Sequence, residues 1–200
     1  MRMIPWLAAV AAMLWLSGCA TATAPADRFT LPGSETAPAS TARAEHLLVV
    51  RAPHLAHYLD VDGIVLQLDD ITLNAARQHL WAEPLGHQLE RGLRARLAER
   101  LPDTRVVRDA GPIRDPSAVT LRLEVDRFQG HHDGLAIASG RWQLHAADGS
   151  LLAMEDFRAA TELHDDGYPA LVRALGSSWD RVAEQIADGV RRVRQVEGRA

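Results

Sequence analysis

Two short segments place histidine beside aspartate, side chains that can bind metal ions. They are His131-His132-Asp133 and His164-Asp165-Asp166. Both lie in turn-like stretches and lack the i, i+4 or Cys-x-x-Cys spacing that brings several ligands to one metal. Polar side chains in such segments usually face water, so we interpret both as solvated loops, and His54 and His57 in the same way. The sequence therefore predicts no metal site.

Other arrangements that could support catalysis are incomplete. Ser177-Ser178 lacks the Gly-x-Ser-x-Gly turn that exposes a hydrolase nucleophile. Asp69 and Asp70 are neighbours along the chain, and adjacent residues of a strand point to opposite faces, so the two acids do not converge on one substrate. No phosphate-binding loop motif occurs. We therefore predict no catalytic residue and a protein that is not an enzyme.

Cys19, the one cysteine of the chain, follows a segment typical of export signals. Arg2 gives a positive start, and the thirteen residues 4–16 are uncharged and apolar. As a helix they would span roughly 20 Å, which is short of the ~30 Å hydrocarbon core of a bilayer. Leu16-Ser17-Gly18-Cys19 resembles the lipobox of bacterial lipoproteins, whose cysteine is acylated and becomes the new N-terminus. We expect residues 1–18 to be a signal peptide and Cys19 to carry a covalent lipid, with no other cofactor.

A lone acylated cysteine also indicates where the chain resides. It forms no internal disulfide, and a free exported thiol would be open to oxidation, a liability that acylation removes. Two or more acyl chains give stable anchoring to a membrane. Ala20 stands where an aspartate would retain an enteric lipoprotein in the inner membrane. By resemblance to that sorting rule, we expect a lipid-anchored protein on the periplasmic face of the outer membrane.

The residues after the cysteine differ in composition from the rest. Residues 19–45 are rich in alanine, threonine, proline and serine, and we expect a flexible tether to a folded domain at 46–197. The alternating patch Phe29-Thr30-Leu31 predicts a short strand near residues 28–31. The formal net charge is −4 and no basic stripe occurs, so nothing in the sequence favours nucleic-acid binding.

The apolar pattern of the domain predicts several strands. They are expected at 47–50, 64–68, 120–128, 135–145 and 151–160, with 71–73 continuing or pairing beside the second. Asp148-Gly149 predicts a hairpin turn between the last two.

Two amphipathic helices are predicted as well. The first begins around residues 81–84 and stops before Pro102, with leucines at every fourth position from Leu85 to Leu97. Its arginines are expected largely on the other faces: Arg91, Arg94, Arg96 and Arg100. The second runs from Tyr168 to about Val196. Because each apolar stripe needs a sheet to cover, we expect an α/β sandwich with a mixed, largely antiparallel sheet and both long helices on one face.

Two blocks of the sequence resemble the PqiC/YmbA-type family of ABC-transport auxiliary lipoproteins. The first is Gly63-Ile64-Val65 with Leu80-Trp81-Ala82-Glu83-Pro84-Leu85, and the second is Tyr168-Pro169-Ala170-Leu171-Val172-Arg173-Ala174 with Ile186-Ala187 downstream. Phe29-Thr30-Leu31 resembles the early strand of the family, so the similarity spans essentially the whole mature chain. The loop at 53–60 is longer than the Pro-x-Tyr-Leu pattern common in the family, which leaves the contacts of that loop open.

The resemblance implies a function in lipid transport. Such lipoproteins work with an MCE-domain protein and the associated permease and ATPase of an ABC transporter, moving lipids between the two membranes and supporting outer-membrane integrity. Some members assemble into rings. The chain would then be a non-catalytic, homo-oligomeric subunit that faces the periplasm. A carrier with its own lipid pocket is less favoured, because the sheet needs both apolar stripes. The alternative is a structural envelope lipoprotein with no role in transport.

Four residues of the resembling blocks are candidates for structural or partner contacts: Trp81, Pro84, Leu85 and Tyr168. Trp81 could line a lipid path or touch a partner, or it could anchor the first helix against the sheet. We favour the structural role, because buried aromatic side chains dominate protein cores.

Overall fold

The computed structural model describes residues 25–33, 44–111 and 115–197, which form one mixed sheet and two helices. The nine strands of these ranges are β1 (Asp27–Phe29), β2 (His46–Val50), β3 (His54–Leu55), β4 (Gly63–Gln67), β5 (Leu73–Trp81), β6 (Thr104–Arg108), β7 (Val119–His131), β8 (Leu135–His145) and β9 (Leu151–Glu162). The helices are α1 (Leu85–Arg100) and α2 (Tyr168–Glu197). A single 3₁₀ turn, His57–Leu59, lies between β3 and β4.

Strand β7 organises the sheet through both of its edges. Along one edge it pairs antiparallel with β8, and β8 pairs antiparallel with β9. The turn between β8 and β9 contains the predicted Asp148-Gly149, where Gly149 has a φ of 88° that glycine adopts without strain. The β7–β8 and β8–β9 ladders are the longest in the sheet. The side chains of these strands alternate between two faces, which is why the sequence pattern predicts the strands.

The other edge of β7 is shared by three short strands that run parallel to it. Strand β2 pairs near its start, β3 near its middle and β4 at its end. Beyond them, β6 adds to β2, and β5 and β1 add to β4 in turn. Helix α1 connects β5, on the β4 side of β7, with β6, on the β2 side.

Both helices pack into the same apolar cluster on one face of the sheet. Trp179 of α2 is fully buried, and its indole N–H donates to the carbonyl oxygen of Leu89 in α1 at 3.1 Å. Phe128 and Phe157 meet the Trp179 ring edge-to-face, with centroids 5.8 and 6.2 Å away. Such pairs stabilise a core beyond simple area burial. The predicted α/β fold with a mixed sheet and two helices on one face is confirmed.

The structure corrects the segment between β4 and α1. Trp81 does not begin a helix: it ends β5, and α1 begins four residues later at Leu85. Most of β5 is built from residues with low strand propensity, and pairing with β4 and β1 overrides that preference. Strand β6 was also missed, because five residues flanked by charged side chains carry little periodic signal.

Candidate functional site: the docked N-terminal segment

The four candidate residues lie around the junction of β5, α1 and the start of α2. Trp81 is 3% exposed, and its ring centroid lies 6.2 Å from that of Phe128. Its backbone N–H donates to the carbonyl oxygen of Asp62 at 2.8 Å. A side chain this deeply buried offers no surface to a partner. Trp81 therefore contributes to the core in this structure.

Pro84 and Leu85 define where α1 starts. Pro84 occupies the N-cap, and its carbonyl oxygen accepts the N–H groups of His87 and Gln88 at 3.0 and 3.4 Å. Proline is tolerated there because the missing N–H would have no partner inside the helix. Leu85 is buried in the main core. Both residues set the direction of the helix.

Tyr168 belongs to a short stack of rings at the β1 edge of the sheet. Its ring lies against His79 of β5 with centroids 4.0 Å apart, and Phe29 of β1 lies 6.0 Å from the same imidazole. His79 Nδ1 is 3.6 Å from a carboxylate oxygen of Asp27. Partial burial raises the pKa of Tyr168 above its ordinary value. The stack connects β1, β5 and the first residue of α2.

Residues 27–33, which we call the docked segment, are held to the domain by a buried amide. Leu31 is 1% exposed, and its backbone N–H donates to the side-chain oxygen of Gln88 at 2.7 Å. The Gln88 amide donates in turn to the carbonyl oxygen of Glu83 at 3.0 Å. The backbone of Phe29 also accepts a hydrogen bond from Ala82 at 2.8 Å. A strand thus lies at 27–29, which overlaps the strand that the sequence predicts near 28–31.

A buried guanidinium completes the attachment of the docked segment. Arg96 donates to the carbonyl oxygens of Pro32 at 2.6 Å and Gly33 at 2.9 Å, and its Nε lies 3.1 Å from Asp180 in α2. Burial lowers the pKa of Arg96, and the carboxylate of Asp180 opposes that shift. A buried guanidinium loses its hydration, and the two carbonyl oxygens and the carboxylate of Asp180 compensate for that loss.

Arg96 is therefore a correction to the predicted helix pattern. The sequence placed it on an outer face of α1, but it is only 6% exposed and bridges the docked segment and α2. Gln88 was not singled out at all. Neither residue gives a sequence signal, because polar side chains on a helix are ordinarily solvated.

Cys19, the signal peptide at 1–18 and most of the predicted tether lie outside the described residues. Of the range 19–45, the structure describes residues 25–33 and 44–45. The docked segment lies within the first of these. The docked segment is therefore part of the folded domain and not of a flexible tether, whereas the rest of the tether and the lipid on Cys19 stay predictions. Among the ranges that the structure describes, no helix is long and apolar enough to cross a membrane.

The two His-Asp segments lie at turns or bends and are half-buried to exposed, whereas Ser178 is buried. His131 Nδ1 lies 2.5 Å from a carboxylate oxygen of Asp133, and this hydrogen bond holds the pKa of Asp133 below its ordinary value. In the described part of the chain, no group of three or more His, Cys, Asp or Glu side chains is placed to hold a metal. Ser178 is buried and donates to the carbonyl oxygen of Ala136 at 2.9 Å, where it ties α2 to β8.

Known proteins are similar to this chain in sequence and in fold. The sequence model of the ABC-type transport auxiliary lipoprotein component matches residues 29–187. The intermembrane transport lipoproteins PqiC of Escherichia coli K12 and Shigella flexneri are each 34% identical over 190 residues, covering 94% of this chain and 98% of theirs.

Solved structures agree with the sequence match. The crystal structure of an uncharacterized protein superposes with a TM-score of 0.72 at 29% identity, covering 83% of this chain and 99% of that one. A Xanthomonas campestris protein shares the fold at 18% identity, with a TM-score of 0.70 over 87% of this chain and all of that one. The matched range begins inside the docked segment and ends in α2, so it takes in the contacts of Leu31, Pro32 and Gly33 with Gln88 and Arg96. The chain belongs to the ABC-type transport auxiliary lipoprotein family.

Proposed function

We propose that the chain is a non-catalytic lipoprotein subunit of an MCE/ABC-type intermembrane lipid transport system and supports outer-membrane integrity. The observation that carries the proposal is the similarity to the intermembrane transport lipoprotein PqiC along almost the full length of both chains. Three polar side chains buried in the described residues, Gln88, Arg96 and Ser178, hold elements of the domain together, which fits a non-catalytic role.

The proposed anchor is a lipid on Cys19, which places the domain on the periplasmic face of the outer membrane. The test is to label cells with radioactive palmitate and compare wild type with Cys19→Ala. We expect label only in the wild type, which should also sediment with the outer membrane. Equal label in the two proteins, or a mature N-terminus elsewhere, would contradict the anchor.

The proposed partners are an MCE-domain protein with its permease and ATPase, and other copies of this chain. Copies joined by one repeated head-to-tail contact form a ring when the rotation closes, and a ring multiplies weak contacts with a partner through avidity. The test is to purify the tagged full chain from cells in a neutral detergent, measure its mass by light scattering and identify co-purifying proteins.

We expect a homo-oligomer that carries an MCE-domain protein. Cys19→Ala serves as the control, because loss of the lipid should reduce recovery of the complex from membranes while leaving the domain folded. A monomer that never co-purifies with an MCE-domain protein would contradict the proposal. It would favour a structural envelope lipoprotein without a role in transport.

A further inference from the structure

A cavity of about 480 Å³ lies beside β7, within the size range of about 300–1,000 Å³ of small-ligand sites. It occurs where the parallel neighbours of β7 change, since β2 pairs with β7 up to Leu121 and β3 pairs from Glu124 onward. Arg122 and Glu124 alternate with the buried Leu121 and Leu123, so they point away from the helices. We call this site the arginine cavity. Its charged lining is Arg51, Arg108, Arg122, Arg141, Asp109 and Glu124.

Two of these arginines, Arg51 and Arg141, are paired with carboxylates through Nε. Arg51 Nε lies 2.8 Å from Asp109, and Arg141 Nε lies 2.7 Å from Asp156. Arg108 differs, because its Nε lies 3.2 Å from the buried Glu90 of α1 on the helix side of the sheet. Within the described residues, no terminal Nη nitrogen of Arg51 or Arg141 donates a hydrogen bond.

Arg122 has no ion pair or hydrogen bond among the residues that the structure describes. It lies on β7 opposite Gln143 of β8, two register positions from the facing residues Glu124 and Arg141. Its exposed guanidinium therefore offers all of its N–H donors at the cavity.

Guanidinium groups dominate the open-face lining of the cavity. Arg51, Arg122 and Arg141 line it, and Asp109 and Asp156 pair with the first and the last of them. Guanidinium groups bind phosphate oxygens through pairs of parallel N–H donors, and several arginines around one cavity suit a group with several anionic oxygens. We propose that the arginine cavity binds phosphate, either as the free ion or as the phosphate of a lipid headgroup. The proposal stands on this cavity and does not require the MCE partnership.

The test is calorimetric titration of the full chain in a neutral, phosphate-free detergent at low ionic strength. Three probes are used: inorganic phosphate, dihexanoyl phosphatidylglycerol and dihexanoylglycerol, which has the same acyl chains and no phosphate. Arg122→Gln removes the unpaired guanidinium. Arg127→Gln is the matched control, because it is an exposed arginine on the same strand that does not line the cavity.

We expect phosphate to bind the wild type and Arg127→Gln alike. Arg122→Gln should bind it about tenfold more weakly, the change in Kd that corresponds to about 1.4 kcal/mol. Tighter binding of the phospholipid than of inorganic phosphate, with no Arg122-dependent binding of dihexanoylglycerol, would identify a lipid headgroup as the source. Equal affinity for the two phosphates would identify the free ion.

Three results would overturn the proposal. The first is no heat of binding from either phosphate at millimolar concentration. The second is an equal loss of affinity in Arg122→Gln and Arg127→Gln, which would mean general charge attraction. The third is a protein partner that depends on Arg122 while phosphate neither binds nor competes, which would make the cavity a protein-docking surface. Because Arg122 is exposed, an unchanged unfolding midpoint should show that the variant is folded.

Discussion

The two faces of the β7–β8 pair differ completely, although the same strands build both. On the helix side, Leu121, Val125 and Trp142 are almost fully buried in the main core. On the open side, Arg122 and Arg141 face solvent and line the arginine cavity. Strand alternation places successive side chains on opposite faces, so the buried positions contribute to the core and the exposed positions line the cavity. We therefore expect the helix face to determine stability and the open face to tolerate substitution with little effect on the fold.

The largest effect should follow removal of the most buried ring on the helix side. Trp179→Ala is expected to reduce the free energy of unfolding by about 3–5 kcal/mol, as for other buried aromatic residues. It also leaves the carbonyl oxygen of Leu89 without its indole donor. The measurement is urea unfolding of the full chain in neutral detergent. Arg122→Gln on the open face is the control and should change stability by less than about 0.5 kcal/mol. Equal losses in the two variants would contradict the division between faces.

A smaller loss of stability is expected at the docked segment, which is hydrogen-bonded to α1 on the helix side. Gln88→Ala leaves the backbone N–H of Leu31 buried without its acceptor, which costs about 1–3 kcal/mol. The segment should detach more often, and limited proteolysis should cleave near residues 27–33 faster than in the wild type. His87→Ala is the matched control, because His87 is the exposed neighbour on the same helix. If both variants are cleaved at the wild-type rate, Gln88 does not hold the segment.

The smallest effect concerns the rim of the core, where the two tyrosines of the chain are partly buried. Burial raises the pKa of Tyr58 and of Tyr168; at Tyr58, Arg127 opposes the shift and Asp126 adds to it. The unfolded chain therefore loses these protons first. Their contribution to stability is complete below the ordinary value of about 10 and is lost as pH rises through the folded-state pKa.

Tyrosinate absorbance measures this rim directly. We expect the folded chain to titrate at higher pH than the same chain in urea, and Tyr58→Phe should leave one titrating group, Tyr168. Coincident titration curves for the folded and unfolded chain would mean that neither hydroxyl is desolvated. The two tyrosines would then resemble the solvated residues of the open face.

Much of the fold could be predicted from the sequence because its largest elements have regular periods. The alternation along β7, β8 and β9 and the apolar spacing of α2 repeat over many residues, so local irregularities do not hide them. Short parallel strands such as β3 and β6 lack that repetition, and their pairing depends on distant partners. Strand β5 was missed for a different reason, since its residues favour helix until its neighbours pair with it.

The functional surfaces could be predicted only in part. The prediction of a lipid on Cys19 rests on a motif that is local in sequence, whereas the docked segment depends on Gln88 and Arg96, which lie more than fifty residues away along the chain. The arginine cavity joins side chains from β6, β7, β8 and the end of β2. No local spacing connects them, because the branching of the sheet beside β7 brings them together.

The central claim, that the chain acts within an MCE-dependent lipid transport system, is tested most directly by genetic epistasis. The gene for this chain and the gene for the co-purifying MCE-domain protein are disrupted singly and together, and sensitivity of the envelope to detergent is measured. If the two proteins act in one system, the double disruption should be no more sensitive than the stronger single one, and wild type but not Cys19→Ala should restore resistance. Additive defects, or full restoration by Cys19→Ala, would contradict the claim.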